Sequence, residues 1–186
     1  QIKIDEPVNE YIPEFNPENS FNQHSINLLQ LMTHHSGLPR EPRTGHYCDP
    51  TEPNLDKMIK SLFNETLVFP PGTRLKFSNA GIALSGYLLS KTVQRPYHQY
   101  MNDIILFALG MERSSFGWDE SLKKYLVKGY MWSHDKENQP APVFELGESP
   151  AACLYSSVID LCAYIQMLMN NGRGQKGYIL RPPYAR

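Results

Sequence analysis

Long apolar runs are missing from this sequence. No stretch approaches the roughly eighteen consecutive apolar residues that a membrane-spanning helix requires, and the amino end, QIKIDEPVNEYIPEF, has neither the basic start nor the apolar stretch of a signal peptide. We therefore expect no membrane span in this chain. Its compartment stays open, because a leader or anchor could precede this sequence in a longer parent.

The sequence has only three cysteines, and their spacing does not suggest a pair. Cys48, Cys153 and Cys162 form an odd set without a C-x-x-C spacing, which argues against a zinc knuckle, a redox pair or a disulfide framework. Cys162 falls on the apolar side of a predicted helix, so we expect a buried, inert thiol there. The sequence implies no metal and no organic cofactor.

An excess of charge of either sign is also absent. Eighteen basic residues stand against nineteen acidic ones, giving a formal charge of -1, so no global field would attract nucleic acid or an anionic membrane. Hydrophobic residues make up 41% of the 186 residues, as in ordinary folded domains. We predict one globular domain over 1–186, without nucleic-acid partners.

Helical patterns dominate the first half of the chain. Ser25 precedes the apolar segment INLLQLM, and Asn54 can cap a second helix over LDKMIKSLF. From Asn79, the run AGIALSGYLLSKTV is apolar on nearly every side and carries several small residues, which predicts a buried central helix that other elements approach closely. Pro96 suits the first turn of a further helix that ends at Gly110.

The second half contains one strand candidate and one strong helix. YLVKGYMW at 125–132 is rich in β-formers. Ser157 and Asp160 predict a capping box for VIDLCAYIQMLMN, whose apolar positions form a continuous stripe. The fifteen prolines cluster in long connections between these elements. This combination of helices, few strands and long loops predicts an all-helical lobe, with most of the adjoining sheet outside the chain.

Five blocks resemble, in order, the family of class C β-lactamases, D-Ala-D-Ala carboxypeptidases and related esterases. They are KIDEPVNEYIPEF at 3–15, SINLLQLMTHHSGLP at 25–39, PPGTRLKFSNAGIALSGYLLSK at 70–91, LFALGMERSSF at 106–116 and CLYSSVIDLCAYIQMLMNNG at 153–172. The resemblance covers nearly the whole chain. It implies an α/β (α+β) fold, mainly the helical lobe of a β-lactamase or penicillin-binding-protein-like domain, with most of the antiparallel sheet outside the chain.

Phe77-Ser78-Asn79 is the chemically important segment. In extended backbone, residues 77 and 79 project to one side and Ser78 to the other. In the family that this chain resembles, the first position is a tyrosine that helps move the proton of the nucleophilic serine, and the third is an asparagine that hydrogen-bonds the catalytic lysine and the substrate amide. Phe77 cannot exchange a proton. Asn79 can donate and accept at once, although it could instead cap the following helix.

The nucleophile of the family does not have a convincing counterpart in this chain. Ser121 to Lys124 and Ser133 to Lys136 have the Ser-x-x-Lys spacing, but both lie in charged surroundings rather than on an apolar helix that would lower the lysine pKa. We expect both to be solvated, and the nucleophile to lie upstream of Gln1. The family's Lys/His-x-Gly strand is also missing after the last helix.

Further site residues follow from the same resemblance. Tyr155 could line the edge of the substrate cleft, or could equally be an aromatic packed beneath a helix start. Thr33-His34-His35 lacks the spacing of a metal site, and we expect His34 to order backbone at a helix end.

The implied function is cleavage of an amide or ester through an acyl-serine intermediate by a complete serine hydrolase, with a small-molecule or peptide substrate. The resemblance also favours an extracytoplasmic or membrane-anchored parent. The alternative is a catalytically impaired pseudoenzyme that binds a peptide or protein partner, which Phe77 supports, together with Cys153 at a place where the family usually has glycine. The sequence does not indicate an oligomeric state.

Overall fold

The computed structural model describes residues 2–18, 21, 25–46, 48–49, 51, 54–132, 134 and 139–181. By the contacts between their backbones, they form two units. Unit one comprises Gln1–Met101 and Leu146–Cys153, and unit two comprises Asn102–Glu145 and Leu154–Arg186. Each unit has its own cluster of buried apolar side chains.

The first two α-helices of unit one are short and capped by asparagine. Helix α1 (Leu28–Met32) begins at Asn27, whose side chain accepts from the backbone N–H of Gln30 while the Gln30 side chain accepts from that of Asn27. The prediction of Ser25 as the helix start was wrong, because this reciprocal capping box satisfies two terminal N–H groups. Helix α2 (Leu55–Ser61) is capped by Asn54 as predicted.

Helix α3 (Asn79–Val93) is the central element of unit one, as predicted. It packs against α1, α2 and the short helix α4 (Tyr97–Met101). Its small residues allow this close approach, since Ala80 and Ala83 are fully buried. The helix places its first residue, Asn79, at the border of the core.

The predicted helix after Pro96 is present, but it is not α-helical throughout. Residues 97–109 are helical, and Asn102–Phe107 form a π-helical turn. The helix ends at Gly110, whose φ of +72° lies in the left-handed region that favours glycine.

Every strand in the described residues of unit two is only two residues long. In chain order they are β1 (Ser115–Phe116), β2 (Tyr130–Met131), β3 (Gln139–Pro140), β4 (Leu154–Tyr155), β5 (Arg173–Gly174) and β6 (Gly177–Tyr178). They form the antiparallel pairs β1–β4, β2–β3 and β5–β6. Of the strand predicted over 125–132, only Tyr130–Met131 is present, and Tyr125 instead belongs to a 3-10 helix (Glu120–Tyr125) that Asp119 caps.

Helix α5 (Val158–Met169) is present with Ser157 as its cap. Its apolar stripe is largely exposed: Val158 and Met169 are each 78% exposed, and Met167 is its one fully enclosed apolar residue. The expectation of a buried Cys162 was therefore wrong, since this thiol is exposed. No helix in the described ranges is both long and apolar enough to span a membrane.

Candidate active site

Two segments that are distant in sequence meet at the start of α3. The backbone N–H of Lys76 donates to the carbonyl of His34 (2.8 Å), and that of Asn79 donates to the carbonyl of Arg40 (2.8 Å). The hydroxyl of Ser78 donates to the carbonyl of Pro39 (2.7 Å). These bonds join the Thr-His-His-Ser-Gly-Leu-Pro block to the Phe-Ser-Asn block, so both belong to one site.

The turn between α1 and this site requires glycine. Gly37 has a φ of +78°, and a Cβ atom there would lie 2.3 Å from the carbonyl oxygen of Phe69. The Gly37 carbonyl in turn accepts from the N–H of Val68 (2.9 Å). A side chain at this position would collide with the backbone of Phe69 and would strain the turn.

Ser78, rather than Asn79, caps helix α3. Its backbone is extended (φ −142°, ψ 108°), and its hydroxyl accepts from the N–H of Gly81 (2.9 Å). The alternative reading of Asn79 as the cap was wrong, because Asn79 is already the first helical residue. Ser78 is buried by this double contact, and the Asn79 side chain does not cap α3.

The adjacent histidines have local roles in the backbone. Nδ1 of His34 accepts from the N–H of Ser78 (3.2 Å), and His34 itself has a φ of +60°. Nδ1 of His35 lies 2.7 Å from the carbonyl oxygen of Thr33. Within the described ranges, no group of three His, Cys, Asp or Glu side chains could hold a metal ion.

Phe77 presents an aromatic ring to solvent beside this turn. The residue is 50% exposed, and its ring lies 4.7 Å from that of His34, centroid to centroid. The guanidinium carbon of Arg40 lies 5.6 Å from the Phe77 ring centroid, a distance at which a cation is attracted to the ring face. Phe77 is thus held in place without offering any group that exchanges a proton.

Asn79 is 8% exposed, and its amide orientation is set by Glu41. Nδ2 of Asn79 donates to both carboxylate oxygens of Glu41, each at 3.1 Å. Oε1 of Glu41 also accepts from Nε of Arg40 (3.1 Å). Because the amide nitrogen is directed at Glu41, Oδ1 remains the acceptor that Asn79 can offer to an ammonium group.

A second carboxyl group adjoins Glu41 from inside unit one. Glu148 is fully buried, and within the described part of the chain neither of its carboxyl oxygens has a hydrogen-bond partner. Burial, followed by the negative charge of Glu41, raises the pKa of Glu148 to about 8, and Arg40 opposes this shift. Burial therefore favours the neutral, protonated form of the Glu148 carboxyl.

Tyr155 lies in unit two, on strand β4. Its ring packs edge-to-face against Trp118, with centroids 5.7 Å apart and planes at 73°, and the residue is partly buried. The backbone N–H of Trp118 donates to Oε1 of Glu145 (2.5 Å). Packing of Tyr155 beneath a helix start and a role for it at the edge of a substrate cleft both stay predictions.

The first internal Ser-x-x-Lys string, Ser121 to Lys124, lies at the protein surface. Ser121 lies on the 3-10 helix Glu120–Tyr125, exposed to solvent, and its N–H donates to Asp119 (2.8 Å). Lys124 is exposed as well and lies near the ring of Tyr125. The second string, Ser133 to Lys136, falls outside the described residues.

Glu41 and Glu148 are site residues that the sequence did not reveal. Glu41 follows the Gly-Leu-Pro turn by two residues, so its place beside Asn79 depends on the backbone bond from Asn79 to Arg40. No local signal marks Glu148, because it comes from a segment more than one hundred residues further along the chain. Only the tertiary contacts bring the two carboxyl groups together.

The family model described as Beta-lactamase matches residues 1–182. "Beta-lactamase-like protein 2" of Dictyostelium discoideum is 36% identical over 172 residues, which are 90% of this chain and 31% of that protein. The chain spans about a third of the length of the curated relatives it matches.

Solved structures share the fold. A β-lactamase/D-alanine carboxypeptidase from Yersinia pestis superimposes with a TM-score of 0.69 at 28% identity, over 90% of this chain and 46% of that one. FmtA from Staphylococcus aureus gives a TM-score of 0.76 at 22% identity, over 91% of this chain and 46% of that one. The chain thus aligns with about half of the length of each of these two structures.

Proposed function

Because the chain belongs to the β-lactamase family, we propose that it is an internal part of a serine hydrolase that, when complete, cleaves an amide or ester through an acyl-serine intermediate. The observation that carries this proposal is the position of Asn79. Its amide nitrogen is bound to Glu41, and its amide oxygen is left as an acceptor at the start of α3. An acceptor there suits the lysine ammonium of a Ser-x-x-Lys pair.

The proposed role of each residue follows from the chemistry of its side chain. A serine outside residues 1–186 attacks the substrate carbonyl, and its proton passes to the lysine one helical turn away. Asn79 orients that lysine through Oδ1 and is a binding group in this reaction. Phe77 stands where the family has a proton-transferring tyrosine, so here it contributes the shape of an aromatic ring without transferring a proton. The substrate class, whether β-lactam, D-amino-acid peptide or small ester, is not specified by these residues.

A second candidate function is that of a binding protein with impaired catalysis. Two features favour it. Phe77 lacks a hydroxyl, and Cys153 occupies a left-handed conformation with φ +74° at a position where the resemblance has glycine. Under this alternative, the same surface around Phe77 and Arg40 would bind a peptide or protein partner without acylation.

The two candidates are separated by labelling the complete protein with a serine-directed fluorophosphonate and by assaying nitrocefin and p-nitrophenyl esters. The hydrolase proposal expects stoichiometric labelling at a serine outside residues 1–186, together with turnover. The 186-residue chain is the control, and we expect it to stay unlabelled, since Ser121 lies exposed on a 3-10 helix among charged residues. A complete, folded protein that is never labelled would support the binding protein, and labelling at Ser121 would contradict the proposed site.

A further inference from the structure

Glu41 places a carboxylate in direct contact with Asn79. Nδ2 of Asn79 lies 3.1 Å from each of the two carboxylate oxygens, so the amide nitrogen faces the middle of the carboxylate. The Glu41 side chain is 25% exposed, whereas Asn79 is buried. A ligand bound at Asn79 would thus lie beside an accessible carboxylate.

The Glu41 carboxylate has hydrogen-bonding capacity left for such a ligand. An ionised carboxylate accepts at about four lone-pair positions and donates at none. Oε1 of Glu41 accepts from Asn79 and from Nε of Arg40, and Oε2 accepts from Asn79. These bonds do not use up its acceptor capacity, so the carboxylate offers acceptors to a ligand.

Arg40 does not cancel the charge of Glu41. The Arg40 side chain is 62% exposed, and its Nε lies 3.1 Å from Oε1 of Glu41. Water screens an exposed ion pair of this kind, and such a pair is weak. Arg40 is also linked to Asn79 through Glu41. An ammonium group beside Asn79 can therefore bind the carboxylate next to the guanidinium.

We propose that Glu41 selects amides or esters that carry a protonated amine close to the scissile carbonyl. This inference rests on the function proposed above, which brings the substrate to Asn79. The substrate ammonium donates to the Glu41 carboxylate in a charge-assisted hydrogen bond. Acylation of that amine removes its charge and adds a carbonyl oxygen, which a group that only accepts repels. Glu41 is thus a specificity-determining residue.

The test measures kcat/KM of the complete protein for alanine p-nitroanilide and for its N-acetyl and N-succinyl derivatives, each in both enantiomers. At about pH 6.5, below the usual pKa of an α-amino group, these compounds are cationic, neutral and anionic in that order. We expect the cationic compound to be preferred over the neutral one by roughly 10–100-fold, the effect of one charge-assisted hydrogen bond. The anionic compound should be the poorest substrate.

Two variants of Glu41 separate its charge from its place in the structure. Glu41→Gln should bring the ratio of the cationic to the neutral compound close to one, because glutamine keeps the shape and an acceptor for Asn79 but loses the charge. Glu41→Asp keeps the charge and should retain part of the preference, which a purely structural role for Glu41 does not predict. Glu10→Gln changes an exposed glutamate of the same unit and is the matched control, so it should leave the ratio unchanged.

Equal or faster turnover of the acetylated compounds by the unmodified protein would overturn the selection by Glu41 and leave the hydrolase intact. A preference for the succinylated compounds would overturn it too, and would assign recognition to Arg40. If the complete protein cleaves none of the compounds and resists the fluorophosphonate, the hydrolase proposal fails, and calorimetric titration with the same compounds then tests Glu41. Tighter binding of the cationic compound that Glu41→Gln abolishes would support recognition of the amine, and equal affinities would overturn it.

Discussion

Phe77 and Asn79 are two residues apart and offer different chemistry to the same site. Asn79 is buried and hydrogen-bonded through Nδ2, whereas Phe77 is half exposed and held by contacts of its ring with His34 and Arg40. An added hydroxyl at the edge of the Phe77 ring would therefore have space and access to solvent. A substitution at position 77 therefore tests directly whether the site lacks a proton-transferring group.

Replacing Phe77 by Tyr in the complete protein should raise the acylation rate. General acid-base assistance is typically worth ~10²–10⁴-fold, and the gain should fall within or below that range. Stability should change by less than about 0.5 kcal/mol, because the position is half exposed. Stopped-flow acylation with nitrocefin and a thermal melt measure the two effects.

Asn79→Ala is the companion variant and should lower the acylation rate with either Phe or Tyr at position 77. It removes the amide that Glu41 orients. The hydroxyl that Phe77→Tyr adds should therefore raise the acylation rate less than it does when Asn79 is present. If Phe77→Tyr leaves a measurable rate unchanged while the protein stays folded, residue 77 lies outside the proton path. The equivalence of this segment with the family's catalytic motif would then lose its functional meaning.

At the scale of elements, helix α3 depends on two glycines that meet different surroundings. A Cβ atom on Gly86 would lie 2.4 Å from Cβ of Pro150 and 3.1 Å from the ring of Tyr97. A Cβ atom on Gly81 would have its nearest neighbour at 3.4 Å, the hydroxyl of Ser78, which is an ordinary contact distance. Gly86 thus permits close packing, whereas a methyl group at Gly81 would meet its neighbours at ordinary contact distances.

The two alanine variants should change stability in opposite directions. Gly86→Ala gains helix propensity but forces a methyl group into a rigid proline ring, and overpacking of this kind costs about 1–3 kcal/mol. Gly81→Ala gains the propensity of up to about 1 kcal/mol without that clash. Urea unfolding of each variant, with the unmodified chain beside it, measures the difference. A Gly86→Ala variant as stable as Gly81→Ala would mean that Pro150 does not pack against α3.

At the scale of the whole molecule, many large apolar side chains of the described residues are exposed to solvent. Val158, Ile159 and Met169 on α5 are each more than 70% exposed. Contiguous apolar surface of this kind marks a face that is covered in the native assembly or that promotes aggregation. Since the chain matches about half of each structural neighbour, we expect the remainder of the domain to cover this face.

The isolated chain should bind the dye ANS, and its thermal melt should be broad. Changing Ile159 and Met169 together to Gln should reduce dye fluorescence severalfold, because these side chains contribute much of the exposed face of α5. Leu75→Gln is the matched control: Leu75 is 70% exposed but lies in a loop of unit one, so its loss should change dye binding little. A sharp melt without dye binding would contradict the expectation of an uncovered face.

Much of the local structure was determined by the sequence itself. Asn54 and Ser157 start helices because their side chains satisfy N–H groups only three residues away, and Gly110 ends one because of its own backbone freedom. The order of the five blocks likewise indicated the family, which the match over residues 1–182 confirms. Such features depend on near neighbours in sequence or on ordered motifs, and a linear pattern records both.

Tertiary structure alone decided what is buried and what meets at the site. The apolar stripe of α5 reads as a core face, yet Cys162 and its neighbours are exposed, because periodicity reports which residues share a face and not whether anything covers that face. Glu148 reads as an ordinary surface glutamate. It is buried beside Glu41 because the chain returns to unit one at Leu146–Cys153, and desolvation, which changes its protonation, depends on that three-dimensional enclosure.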